Sequence, residues 1–386
     1  MVKKGTHIAF GLAVLPLLVI VLSCFTKPER CLTLSYTLNY PGDSWEKNRT
    51  GFLWALSYLG ASLPPGSFDK SLTWQDSSTF RLDLAGLGFQ ATALEALNRL
   101  ADSLEHTPQY KHRGSIDLGQ FVALTIGSSW HYYAITGVPE SYSQFLALHN
   151  GNVLETFPLL QSTVANHNRR IRFHIGEPVQ RSVFIAEEAP LVLGDSGFVP
   201  EVYEVMDVMP NGQLRFAIYD AQGQLCAASP RHLGAAGKPA KCLWCHEVVV
   251  QPLFRPTDSL QGHMGPAQFQ ARVAMLNRQL EEYRAGLSSD LNFLNKQDHT
   301  YMELLYIAYM EPSLSKLSKE WGISQTVLRQ VLQAEQTHQH EEFEFLKDCY
   351  SRQSIQRFAP CLWVSGPANM REPCDDEPHY IQPARK

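Results

Sequence analysis

The chain has 386 residues, with 33 basic against 38 acidic side chains and a formal charge of −5. At 44% hydrophobic and 18% charged, without a low-complexity run, it has a globular composition and length for one large domain or two to three ordinary ones. The mildly acidic balance argues against a general nucleic-acid binder, which presents a basic face.

Lys3 and Lys4 open the chain, and an apolar run of about fifteen residues follows from Ile8 to Leu22, shorter than the ~20 that a membrane span needs. This is the layout of a secretory signal. It closes on Leu22-Ser23-Cys24, which resembles the lipobox of bacterial lipoproteins. The resemblance covers residues 1–24. It implies lipidation at Cys24, a mature chain beginning there, and an acyl anchor in the membrane. The expected location is the cell envelope outside the cytoplasm, periplasmic or outer-membrane. The other reading of the segment is an uncleaved anchor helix. Without Lys3 and Lys4 the charge is −7, from 31 basic and 38 acidic residues.

Residues 32–165 read as a mixed, largely helical domain. From Gln90 to Leu104 the leucines at 94, 97, 100 and 104 recur at helical spacing, so an amphipathic helix is predicted there. Residues 117–135 open on Asp117 as a cap and are apolar enough to be buried. They include the aromatic cluster Trp130, His131, Tyr132 and Tyr133. His131 is either a core histidine bonded to backbone or a pocket residue able to ligate iron or donate a proton.

The period changes near residue 170, and residues 166–266 read as an antiparallel β region. Arg170 to Ile175 alternates apolar and polar, and Val183-Phe184-Ile185 is a further strand. Runs at 202–208 and 214–219 flank Pro210-Asn211-Gly212, a hairpin signal. A Gly/Pro-bearing loop then leads to Cys242-Leu243-Trp244-Cys245-His246. Cys-x-x-Cys-His is the attachment signature of c-type haem: two thiols three apart reach the porphyrin vinyl groups, and the next histidine becomes the proximal ligand. A structural zinc site needs a second Cys/His pair at similar spacing, and none follows nearby. One covalent haem c is therefore expected, on Cys242 and Cys245, with His246 as axial ligand. The order of hairpins, glycine-rich loop and motif over 170–250 resembles the β-sheet cytochromes c prime-beta. That resemblance implies a haem in a sheet-lined pocket with an open or sterically guarded distal face. For the distal ligand the sequence offers Met264, with His263, His131 and Met275 as alternatives, or five-coordinate iron.

Residues 267–358 read as a helical region: a helix from Phe269 to Ala285 stopped by Gly286, one from Leu291 to Met310, and a helix-turn-helix over 313–333 around Gly322. Glu335 to Tyr350 is expected as a polar helix. On it His338 and His340, two apart, would point away from each other and line a solvated face. Residues 359–386 read as a loop tail. Lipid and haem account for three of the eight cysteines. That leaves Cys31, Cys226, Cys349, Cys361 and Cys374, among which Cys361–Cys374 is the first pair to test for a disulfide.

The sequence thus predicts an α+β protein: a helical and mixed N-terminal part, a small antiparallel β region leading into the haem loop, and an α-helical C-terminal part. Functionally it predicts an exported, membrane-anchored mono-haem c-type cytochrome, passing single electrons between redox partner proteins of the cell envelope. The alternative is a haem enzyme, or a small-gas or peroxide binder with an open distal site; the electron carrier is favoured. A remote alternative is a DNA-binding helix-turn-helix using Gln325, Thr326, Arg329 and Gln330, which the export signal and the acidic charge oppose.

Overall fold

The computed structural model describes residues 31–160, 162–165, 169–189, 198–234, 237–255, 259–360 and 379–381. The signal segment with Cys24, and Cys361 and Cys374, lie outside them. The architecture is α+β. Strand β1 (Cys31–Ser35) leads to α1 (Trp45–Tyr58), capped by Ser44, then to α2 (Ser67–Ser71), β2 (Leu72–Trp74) and β3 (Thr79–Asp83). Next come α3 (Ala91–Glu105), where leucine spacing predicts it, α4 (Pro108–Arg113) and β4 (Ile116–Asp117). The first four strands form a sheet in the order β2-β3-β1-β4, with only β1–β4 parallel. The predicted apolar stretch is two helices, α5 (Leu118–Thr125) and α6 (Ser129–Thr136). Asp117 caps the first, accepting from the Gly119 and Gln120 amides, and the Ser128 hydroxyl caps the second. Helix α7 (Tyr142–Leu148) follows.

The second sheet is a five-stranded antiparallel meander: β5 (Glu155–Leu159), β6 (Arg169–His174), β7 (Val183–Glu188), β8 (Val202–Val208) and β9 (Leu214–Asp220). It begins at Glu155, ahead of the boundary at 166 that alternation suggests. Gly212, at φ +80°, turns the β8–β9 hairpin where Pro-Asn-Gly predicts it. The motif itself lies on a helix rather than in a loop: α8 (Pro239–His246), with proline at its first position.

Helix α9 (Pro266–Ala285) ends at Gly286 as expected. The next helix does not start at Leu291. Local bonds such as Leu294 N–H to the Asn292 side chain hold that stretch in turns, and α10 runs only over Thr300–Met310. Helices α11 (Leu314–Trp321) and α12 (Gln325–Val331) meet at left-handed Gly322. The polar helix expected at 335–350 does not form. That segment holds two two-residue strands, β10 (Thr337–His338) and β11 (Cys349–Tyr350), paired antiparallel, and α13 (Arg352–Ile355) follows.

One hydrophobic core runs from Leu32 through both sheets' buried faces to Tyr309, so the N-terminal helices and the meander share an interior. At its centre α10 lies against α1 and α5. A Cβ on Gly51 would sit 2.5 Å from the Tyr301 carbonyl, and one on Gly119 2.2 Å from the Leu305 carbonyl oxygen. A smaller core (Leu317, Trp321, Leu328, Leu332 and Ile355) serves α11–α13. Among the described residues no helix is long and apolar enough to cross a membrane.

Candidate functional site

Alternation along the meander places one side chain in two on each face. Two cross-strand rows on one face, Ile171–Ala186–Glu204 and Phe184–Met206–Phe216, floor a cleft. Phe269 and Val273 of α9 form one wall, and residues 250–254 another. Cys242, Cys245 and His246 of α8 line the remaining side, with Lys241 beside them. The cleft encloses about 930 Å³ of atom-free space counted out to its solvent-open mouth. The three motif residues, read from sequence alone, therefore meet in one concave, mainly apolar site.

The local sequence explains why α8 presents them this way. Residues 242, 245 and 246 fall on one face of a helix at spacings of three and four. Leu243, on another side, is 1% exposed and anchors the helix in the core. The segment after His246 is clamped by three side chains from two elements, α1 and α9. Tyr58 of α1 donates its hydroxyl to the Glu247 carbonyl at 3.1 Å. Arg284 at the end of α9 donates to the Val248 carbonyl at 2.5 Å and to Gly212 at 2.9 Å. Asn277 brackets Val250, accepting from its N–H at 2.9 Å and donating to its carbonyl at 3.0 Å. Glu247 itself adopts φ 51°, ψ −110°, a region that a residue with a Cβ enters only when its surroundings dictate it. The clamp supplies that dictation.

His246 stacks on Phe216 at 5.5 Å, and its Nδ1 lies 3.2 Å from the Gln251 N–H. Burial pushes its pKa down to about 4; a hydrogen bond to the Val249 backbone opposes the shift and the Arg169 charge adds to it. The imidazole is thus neutral at neutral pH, the form with a lone pair for a metal. Ligation through Nε2 requires the proton on Nδ1, which exchanges the Gln251 contact for donation to a carbonyl. Burial drives the Cys242 thiol well above its ordinary range, so it is protonated at neutral pH.

The residues present fit a covalently held haem: two thiols and a neutral imidazole on one helix face, an apolar floor, and the cations Arg169 and Lys241 among the lining side chains to face carboxylates. Arg169 is held by Glu188 and, at 3.2 Å, by Glu204, which also accepts from the Ser229 hydroxyl. None of these supporting residues has a motif. The only sequence signal was Arg169 falling in the buried phase of β6.

The proposed distal ligands are not brought to the cleft. Among the described residues lining it, none is His131, His263, Met264 or Met275. His131 is a core histidine, its Nδ1 2.6 Å from the Leu124 carbonyl and its Nε2 accepting from the Tyr380 N–H at 2.8 Å. His263 is exposed and Met264 packs at the edge of the core. The thioether that does line the cleft is Met206, on its floor. No family model matches the chain, and neither a curated protein nor a solved structure shows significant similarity to it.

Proposed function

We propose that the protein is a mono-haem c-type cytochrome of the cell envelope, held at the membrane by lipid on Cys24 and passing single electrons between redox partners there. The observation that carries this reading is the convergence of Cys242, Cys245 and His246 on one wall of an apolar cleft, at the spacing that covalent haem attachment needs. Bound there, the haem supplies a one-electron couple. The chain's own residues do the rest. The thiols tether, and His246 offers a neutral nitrogen fixed by the clamp on residues 247–250. Phe184, Phe216, Phe254 and Phe269 exclude water, and a drier surround reduces the reorganisation that accompanies a change of charge. Arg169 and Lys241 offset the carboxylates.

The test is a pyridine haemochrome assay on the protein made in a cytochrome-c-maturation host. Haem resists acid-acetone extraction in the parent, is held by one link in Cys242→Ala, and is lost in Cys242→Ala/Cys245→Ala. Freely extracted haem, or none, in the parent overturns the proposal.

A second reading, a haem that binds a small gas or peroxide at an open sixth position, is favoured by the cleft's lining, which lacks all four ligands named from the sequence. Carbon monoxide added to the reduced protein decides it. An immediate Soret shift in the parent supports an open site. A slow response that becomes immediate in Met206→Leu identifies the Met206 thioether as ligand and favours the electron carrier.

A further inference from the structure

A second cluster of donor groups lies well away in sequence from the cleft. Glu311 follows the last residue of α10, and the Nε2 atoms of His338 and His340 each stand 2.5 Å from the same Glu311 oxygen, Oε2. One donor atom from each of the three side chains lies within 4.8 Å of the other two. We propose that Glu311, His338 and His340 form a binding site for a divalent cation of the zinc class, independent of the haem.

Four features support it. The first is backbone period. His338 ends β10, so the segment does not follow a helix's period, and the rings of His338 and His340 both reach one Glu311 oxygen. Second, the scaffold is fixed on both sides of the cluster. His338 pairs in register with Cys349, Cys349 bridges to Ser313, and the Tyr350 N–H donates to the Pro312 carbonyl at 3.1 Å. The strand pair bearing the histidines is thereby tied to the chain one and two residues beyond Glu311. Third, Glu311 is the C-cap of α10, where the helix dipole is negative and an anionic side chain is disfavoured. A cation there offsets the carboxylate, the helix end and the nearby charges of Glu303 and Glu342, which act on His340. Fourth, the side chains of His338, His340 and Glu311 are 43%, 22% and 25% exposed. The site has an entry path and room for water.

The donor set selects the ion. Two imidazoles and one carboxylate with an open position suit zinc, whose three-ligand sites keep a water in the fourth place. The Cys349 thiol is turned elsewhere, with its sulfur 3.6 Å from the Lys347 carbonyl oxygen, so no soft sulfur ligand is offered. The consequence for the fold is a staple. Two two-residue strands hold little structure alone, and a shared ion would cross-link them to the end of α10.

The experiment is calorimetric titration of zinc chloride into the full chain after chelator treatment, in the parent and in Cys242→Ala/Cys245→Ala. One equivalent binds in both, because the motif thiols are not the donors. His338→Ala and His340→Ala each weaken it by more than the roughly 10–100-fold that losing a mere supporting partner of a metal ligand costs. Glu311→Gln, which keeps the shape, weakens it as well. Zinc raises the unfolding temperature of each protein that keeps all three residues and of none that lacks one. No zinc bound in the parent, zinc lost with Cys242 and Cys245, or zinc retained by both histidine variants overturns the proposal and leaves Glu311 as an acceptor for two imidazoles only. Failure here would not touch the haem reading, nor failure of the haem reading this one.

Discussion

At the scale of single residues, the charges beneath the cleft carry a pH dependence. Glu188 is 1% exposed beside Arg169 and Glu204. Burial pushes its pKa from 4.5 up to about 8, the neighbouring Glu204 charge adds to this, and Arg169 opposes it. The folded state therefore binds a proton that the unfolded chain releases above its own pKa. The contribution is fully present below about 4.5 and is lost as pH rises to about 8. Denaturant midpoints measured across that window should fall from this source, and Glu188→Gln, which keeps the neutral shape, should flatten the fall. An unchanged slope in the variant would place the pH dependence elsewhere. Asp207 behaves oppositely: burial works against its charge, but Arg215 and His149 outweigh it and lower its pKa. Its contribution holds above the ordinary carboxylate range and is lost in acid.

At the scale of elements, the packing of α10 against α1 and α5 depends on absent side chains. At Gly119 an added methyl meets a carbonyl oxygen and the Tyr309 Cβ, neither of which can swing aside. Gly119→Ala should thus destabilise the protein by about 1–3 kcal/mol, the range for overpacking a core, read as a lower denaturation midpoint with an unchanged slope. Which elements the sequence revealed follows from the same physics. The meander was legible because β6 alternates, β7 opens on an apolar run and Pro-Asn-Gly marks the β8–β9 hairpin, and α3 and α9 because their apolar residues recur at three and four. The first sheet was not: β2 and β4 are three and two residues long, too short for any period to show. Residues 335–350 were read with the wrong period. Their polar composition gives no apolar stripe to choose by, and the choice decides whether His338 and His340 diverge or converge. In the candidate site, Cys242, Cys245 and His246 were legible because their spacing matches the attachment signature of c-type haem. Met264 is suggested by its place in a glycine-flanked loop beside Pro266, yet what lines a cleft is set by sheet register, which brings Met206 opposite Phe184 and Phe216 instead.

At the scale of the whole molecule, buried ion pairs join distant parts of the chain. Lys316 of α11 meets Asp117 at 3.2 Å, and Arg352 of α13 meets Glu320 at 2.8 Å while lying over the Tyr309 ring. The helix-turn-helix is accordingly fastened to the main body through charges as well as through its own small core. The clamp around residues 247–250 has a further consequence, one of timing. Tyr58 and Glu247 are 189 residues apart, and Arg284 reaches back 36 residues to Val248. Contacts that close such long loops form late, since the chain's entropy must be surrendered before they reward it. A chain emerging from its N-terminus therefore exposes Cys242 and Cys245 before residue 284 is available to lock the kink at Glu247. The interval in which the segment after the motif is still unlocked is set by the arrival of α9.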